Sequence, residues 1–342
     1  MISSASYFRP LVQVGAARPQ GAKPVAGGWC WFTHVEVLSR NGAPQVVSAV
    51  DVPGPALSAI TAPRPKIAQL SFDAPILMGV LNTTPDSFSD GGRHATTAEA
   101  VAVALEMQAA GAQIIDVGGE STRPGAATVA PEEEISRVVP VIQEATAAGL
   151  SAPISIDTRK AVVAKDALAA GATMINDVSG FTYDPALVDL AAQSQVPICV
   201  MHALGDPKTM QANPYYDDVL LDVFDFLKAQ IAALVARGIA KERIIADPGI
   251  GFGKTLEHNL SLLSRLSLFH GLGVPILLGA SRKRFIGTIG QVSEASRRGP
   301  GSIGVALAAL GQGVQILRVH DVADTAQAIA LWRAAVAGQQ HG

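Results

Sequence analysis

The chain has 342 residues, 49% hydrophobic and 16% charged, enough apolar material for a large buried core, as one big domain or two smaller ones, in a soluble globular protein. A formal net charge of −3 and a pI near 6.2 leave no basic stripe of the kind that duplex nucleic acid or an anionic membrane favours, so the expected partners are small molecules. Two cysteines, Cys30 and Cys199, offer neither a disulfide framework nor zinc-ligand spacing, which fits a reducing cytosol.

The N-terminus "MISSASYFRPLVQVG" lacks a basic segment followed by an apolar core and does not read as a secretory signal. No apolar run approaches the roughly 18–20 residues of a membrane helix, so a cytoplasmic protein is expected. Residues 1–72, rich in Pro, Gly and Ala with one strand-like piece, "WCWFTHVEVLS", are expected to form an N-terminal extension, a hairpin plugging a barrel bottom and a linker.

From about residue 75 one pattern repeats: a short β-branched apolar run, a loop, then a helix rich in Ala, Val and Leu. The runs are "PILMGVLN", "AQIIDVGGE", "APISIDT", "TMINDVSG", "VPICVMH", "RIIADPG", "PILLGAS" and "VQILRVH". Continuous apolar runs mean strands buried on both faces, as in a parallel sheet with helical crossovers. Helix starts are marked by "TTAE", read as a capping box from Thr96 to Glu99, and by "APEEE", with Pro131 and three acids in a first turn. Gly111, Gly149, Gly171 and Gly238 mark helix ends. Eight such units over residues 73–338 predict a TIM (β/α)8 barrel, which typically takes about 250 residues.

One stretch invites a different reading. "DPGIGFGKT", Asp247 to Thr255, lies between an apolar run and a helix-like segment, as a phosphate-cradling loop does. The G-x-x-x-x-G-K-T template wants glycine at 248, however, and that position is Pro248, whose fixed φ and missing N–H suit an anion nest poorly.

In a TIM barrel, chemistry sits at the C-terminal strand ends. Those ends carry Asn82, Asp116 and Glu120, Asp157, Asn176 and Asp177, His202, Asp247, Ser281 to Lys283, and Arg318 to Asp321. Polar residues there often merely cap the next helix, but all eight ends are polar. Asp157, Asn176 and Asp247 suit the N–H edge of a flat heterocycle, because an ionised Asp takes two parallel donors. Arg123, Lys283, Arg318 and His320 suit a phosphate. The loops "NTTPDSFSDGGRH" and "GGESTRPGAATV" after the first two runs are candidate lids, with Phe88 and Arg123 as their costliest side chains.

These motifs together, "NTTPDSFSDGG", "DVGGESTRPGA", "SIDT", "INDVSG", "DPGIGFGKT", "GASRKRFIG" and "RVHDV", closely resemble the dihydropteroate synthase family from about Ile76 to the final helix. That family condenses 7,8-dihydropterin-6-ylmethyl diphosphate with 4-aminobenzoate, giving dihydropteroate and pyrophosphate. The resemblance implies a pterin pocket of Asp157, Asn176, Asp247 and Lys283, with Asp247 accepting from the 2-amino group and the neighbouring ring N–H. It implies Mg²⁺ with Asn82 as ligand, a diphosphate cradle of Thr122, Arg123, Arg318 and His320, and an aminobenzoate ring flanked by Phe88, Pro124 and Phe252. Arg123, Lys283, Arg318 and His320 are the expected catalytic cations. The glycines of "DPGIGFGKT" are then expected to let backbone approach the ring, and Lys254 to be a surface or structural lysine. The apolar stripe of "VALAAL" and "AIALW" suits a homodimer contact. Two other readings compete: a pterin-binding methyltransferase that serves a corrinoid protein, which has no use for the diphosphate cradle, and a non-catalytic pterin-binding homologue, which would have lost the cations.

Overall fold

The computed structural model describes residues 6–84, 93–121, 128–205 and 210–338, with only the backbone of residues 93–96. The N-terminal part contains β1 (Tyr7–Pro10), β2 (Lys23–Pro24), β3 (Trp31–Phe32), β4 (His34–Ser39), β5 (Gly42–Ser48) and α1 (Gly54–Thr61). Strands β1, β4 and β5 form an antiparallel sheet, and β2 pairs with β3. Arg9 lies opposite Glu36 in the β1/β4 register and donates to it at 2.6 Å, a cross-strand charge pair.

The β4/β5 hairpin is present, and in place of a loose linker α1 follows it, so that together they form a folded unit with its own small core of Phe32, Val35, Val52 and Ile60. This unit lies along the barrel wall. The Tyr7 ring meets Phe224 edge-on at 5.6 Å, Arg40 bonds Asp222 and Asp225, and Trp29 Nε1 donates to the Leu310 carbonyl at 3.0 Å. The chain then passes under the barrel, where Ile67 and Leu70 form an antiparallel bridge.

The remainder alternates strand and helix: β6 (Ile76–Asn82), α2 (Arg93–Ala109), β7 (Ile114–Gly118), α3 (Pro131–Ala147), β8 (Ile154–Asp157), α4 (Ala161–Ala170), β9 (Met174–Asp177), α5 (Pro185–Ser194), β10 (Ile198–Met201), α6 (Val219–Ala236), β11 (Ile244–Asp247), α7 (Leu256–Ser264), β12 (Leu277–Leu278), α8 (Arg284–Ile289), α9 (Gly299–Leu310), β13 (Ile316–Val319) and α10 (Val322–Ala337). The eight strands from β6 to β13 lie parallel in one sheet, with β13 beside β6. An Ala246–Ile276 bridge closes the last gap, between β11 and the start of β12, and completes the barrel.

Helix α3 opens on Pro131 as its first residue with Glu132, Glu133 and Glu134 in the first turn, as the sequence implies. Helix α2 does not open at Thr96. It starts at Arg93, so Thr96 and Glu99 lie inside the first turns, where a capping box cannot form.

Side chains alternate along each strand, so every second residue faces the barrel interior. Ile76, Met78, Ile114, Met174, Cys199, Ile245, Leu277 and Ile316 make an apolar layer, closed from below by Ile67 and Phe72. The opposite strand faces, with Ile115, Val117, Ile156, Ile175 and Leu317, pack against the helices. Among the described residues, no helix is long and apolar enough to cross a membrane.

Candidate active site

Two residues beyond the apolar layer, the same alternation delivers a polar one: Asp116 after Ile114, Asn176 after Met174, Asp247 after Ile245 and Arg318 after Ile316. Asp157 joins them from β8, two residues after the buried Ser155. All four acidic or amide side chains are buried, with Asp116 fully so. Strand periodicity thus sets a cluster of carboxylates on a hydrophobic floor.

Arg318 braces that cluster. Its Nε donates to Asp116 Oδ2 at 2.5 Å and its Nη2 to Asp157 Oδ2 at 2.7 Å, while Asn176 Nδ2 donates to Asp116 Oδ2 at 3.1 Å. Burial works against the guanidinium charge, but the two carboxylates outweigh it and its pKa is raised. Burial pushes the Asp157 carboxyl up to about 7, with Asp116 adding to the rise and Arg318 opposing it. The second oxygens, Asp116 Oδ1 and Asp157 Oδ1, are buried without a hydrogen-bond partner in the structure. Unpaired buried acceptors are costly, which marks them as places for a donor from outside the chain.

Asp247 ends β11, and its Oδ1 accepts the Gly249 N–H at 2.7 Å. Burial raises its pKa, and Lys283 and that N–H pull against the rise. Lys283 lies just past β12 with its ammonium on the Ile250 carbonyl and 4.5 Å from the centre of the Phe252 ring, a cation–π distance. Burial lowers its pKa to about 8, with Arg318 contributing and the Asp247 carboxylate opposing. Between these groups the wall has no side chain: a Cβ on Gly279 would lie 3.6 Å from Asp247 Oδ2 and 3.8 Å from Arg318 Cδ.

Two glycines of "DPGIGFGKT" lie against the neighbouring strand exit, and a Cβ on the third, Gly251 (φ 84°), would meet the Lys283 stem at 3.1 Å. A Cβ on Gly249 (φ 69°) would meet the His202 carbonyl oxygen at 1.9 Å, and one on Gly253 (φ 62°) would meet Leu204 at 2.7 Å. Of the two alternatives for Lys254, surface or structural, the structure shows the structural one. The side chain is buried, with its ammonium turned back into its own loop.

Several strand-end residues turn away from the mouth. Asp177 accepts from Ser179 N at 2.7 Å, Ser179 Oγ at 2.8 Å and Phe181 N at 2.8 Å, which fixes the loop after β9. His202 bonds Lys254 Nζ at 2.9 Å and packs edge-on against Phe226. Glu120 pairs with Arg159 and Lys160 and accepts the Val129 N–H at 2.8 Å, pinning the chain where the second long loop returns. Arg282 pairs with Asp321. His320 is half-buried, with its Nδ1 3.0 Å from Ser281 Oγ.

The structure therefore brings Asp157, Asn176, Asp247, Phe252, Lys283 and Arg318 around one mouth, with Asn82 at the end of β6 and His320 just past β13. Arg318 sits between the Asp116 and Asp157 carboxylates, which already balance its charge. Phe88, Thr122, Arg123 and Pro124 lie outside the described residues. Asp116, to which the sequence assigns no role beyond a strand end, is a full member of the cluster. Its signal was there: it follows Ile114 by the two-residue step that separates Asp247 from Ile245.

Comparison with known proteins gives this geometry its family. The sequence model described as pterin binding enzyme matches residues 78–320, more than half of the chain. The dihydropteroate synthase of Escherichia coli (strain K12) is 47% identical over 272 residues, covering 80% of this chain and 95% of that protein. That of Neisseria meningitidis serogroup C is 48% identical over 269 residues, covering 78% and 94%. Among solved structures, Xanthomonas albilineans dihydropteroate synthase with 4-aminobenzoic acid superposes with a TM-score of 0.75 at 45% identity, over 80% of this chain and 98% of that one. The same enzyme in complex with 7,8-dihydropteroate gives 0.72 at 42% identity, over 80% and 98%. A barrel of eight parallel strands, a buried Asp-Asn-Asp cluster at its mouth and this level of identity agree: the chain belongs to the dihydropteroate synthase family of pterin-binding enzymes, transferases of folate biosynthesis.

Proposed function

We propose that the mouth of the barrel divides between two substrates, a dihydropterin carrying a 6-methylene diphosphate on the carboxylate side and 4-aminobenzoate on the Phe252 side. The observation that carries the carboxylate side is the pair of buried, unpartnered oxygens, Asp116 Oδ1 and Asp157 Oδ1, on the two carboxylates that Arg318 braces. A pterin edge presents several N–H donors in one plane, and carboxylates in a dry pocket accept them strongly. Asp247 takes the 2-amino group and adjacent ring N–H, while Asn176 and Asp157 hold the rest of the ring.

In the reaction, the bond from the methylene carbon to the diphosphate oxygen breaks, and its electron pair leaves with pyrophosphate. The lone pair of the aminobenzoate nitrogen forms the new C–N bond, and that nitrogen then sheds a proton. A neutral aniline nitrogen needs no base to attack, so positioning and charge stabilisation dominate. Lys283, protonated below about pH 8, holds its charge beside the reacting region, with the Arg318 charge close enough to act on it and His320 just past β13. The carboxylates around Arg318 point to bracing as its main task.

Magnesium fits as a companion of the diphosphate. Among the described residues no group of three or more His, Cys, Asp or Glu could hold a metal ion, and Asn82 offers one hard amide oxygen at the end of β6. When bound, the ion neutralises diphosphate charge and improves the leaving group. We also propose a homodimer through α9 and α10, where Leu331 is 66% exposed on the last helix.

Measuring pyrophosphate release with and without 4-aminobenzoate tests the assignment. Release that depends on both substrates is expected. Release independent of 4-aminobenzoate, or none with either, would overturn it.

A further inference from the structure

The turn Gly249–Gly253 carries the two halves of the site, since Asp247 precedes it and Phe252 lies within it. Each of its five carbonyls accepts a side-chain donor. Lys254 Nζ reaches Gly249 at 2.8 Å and Phe252 at 3.0 Å, Lys283 reaches Ile250, Gln211 Nε2 reaches Gly251 at 2.6 Å, and Tyr216 Oη reaches Gly253 at 2.8 Å. On the amide side, the Gly251 N–H donates to Asn259 Oδ1 at 2.7 Å. A turn with three glycines at positive φ has little conformational preference of its own, so these donors select its shape.

Lys254 takes the largest share. It alone bonds two of the five carbonyls, and it also reaches the His202 carbonyl at 3.3 Å and His202 Nδ1 at 2.9 Å. Burial, and after it the Lys254 side chain, push the His202 pKa down to about 2, so the imidazole is neutral and its Nδ1 can accept. Burial also holds the Lys254 pKa well below the usual ammonium range, with Asp247 opposing, and its N–H groups donate in either charge state. Tyr216 and Phe226 pack against that ring at 5.9 and 4.9 Å and hold it in place. The lysine that gives "GFGKT" its likeness to a phosphate loop thus bonds its own turn.

We infer that Lys254 is a positioning residue, which locks the turn 249–253 so that Asp247 and Phe252 face their two substrates in fixed register. The inference rests on the assignment of those two residues to pterin and aminobenzoate. Removing the Lys254 amine leaves the Phe252 carbonyl and His202 Nδ1 without that donor and the Gly249 carbonyl with only the Phe252 N–H at 3.2 Å, and buried groups in that state drive rearrangement. The Phe252 ring would then leave Lys283.

The test is Lys254→Met in the full chain, which keeps most of the stem and removes the donors. Aminobenzoate KM is expected to rise about tenfold or more with a smaller change in kcat, the mark of lost positioning in the ground state. Amide hydrogen exchange at Gly249–Phe252 should quicken by about tenfold or more, with β6 to β8 unchanged. Wild-type KM and wild-type exchange in the turn would overturn the inference, as would a uniform loss of protection with KM intact. If Lys254→Met fails to fold, Tyr216→Phe with Gln211→Ala removes two of the donors at the periphery. A KM rise of about threefold with quickened turn exchange then supports the locked turn, and no change in either overturns it. If the wild-type chain releases no pyrophosphate with aminobenzoate, the functional assignment fails while the exchange comparison still decides the role of Lys254.

Discussion

At the scale of single residues, the cluster Asp116, Asp157, Asp247, Lys283 and Arg318 sets up opposing demands, because burial favours neutral carboxyls and substrate recognition favours charged ones. Asp247→Asn would present a donor to a ring donor and lose a charge-assisted pair, so a loss of about 2–3 kcal/mol in pterin binding is expected by calorimetry. The same change removes the carboxylate that opposes the lowered pKa of Lys283. The alkaline limb of kcat/KM, set near pH 8 in the wild type by loss of the Lys283 charge, should therefore move to lower pH in the mutant. An unmoved limb would show that another group titrates there. Asp157 gives a stability prediction of definite sign. Its folded carboxyl, pushed to about 7, lies above the unfolded value, so its contribution is fully present below the unfolded pKa and is lost as pH rises through 7. Asp157→Asn removes that loss, so its Tm relative to wild type should climb from about pH 5 to about pH 8 while pterin affinity falls. A constant Tm difference across that range would contradict the burial argument.

At the scale of elements, the apolar runs and the strands agree well where the run is long, as in "PILMGVLN" and β6. The run "PILLGAS" yields only the two-residue β12, because Gly279 and the residues after it serve the mouth. Pro131 marks α3 faithfully because its fixed φ and missing N–H suit a first helical position whatever surrounds it. Thr96 misleads, since a Thr-x-x-Glu pattern is equally compatible with a helix interior, and α2 gains a turn from Arg93 onward. Gly279 separates the needs of the site from those of the fold. A Cβ there meets only ordinary contacts, so Gly279→Ala should fold with a Tm close to wild type, yet its methyl enters the space between Asp247 and Arg318. Pterin affinity should fall by about tenfold or more, read by equilibrium binding. A folded mutant with wild-type affinity would place the pterin elsewhere.

At the scale of the whole molecule, residues 7–61 attach to the wall through Phe224, Asp222, Asp225 and Leu310, whereas Ile67 and Phe72 belong to the barrel floor. Deleting residues 1–62 while keeping Ile67 and Phe72 should lower Tm by several degrees through exposed wall, with kcat/KM within about twofold of wild type. A loss of turnover at unchanged stability would give the extension a part in the chemistry. The sequence by itself determined the barrel, the eight strand ends and the residue types at its mouth, because apolar periodicity and helix-end chemistry are local and survive without tertiary context. Only the tertiary structure decided which polar strand ends face inward. Asp177 and His202 carry the same local signals as Asp157 and Asp247, yet Ser179, Phe181 and Lys254 draw the first two away. It also decided that Asp116 joins the cluster through Arg318, that Lys254 reaches both its own turn and His202, and that residues 7–61 form a packed unit. Arg318 lies 202 residues from Asp116, Lys254 lies 52 from His202 and Trp29 lies 281 from Leu310, and no run, motif or spacing in one segment encodes contacts at such separations.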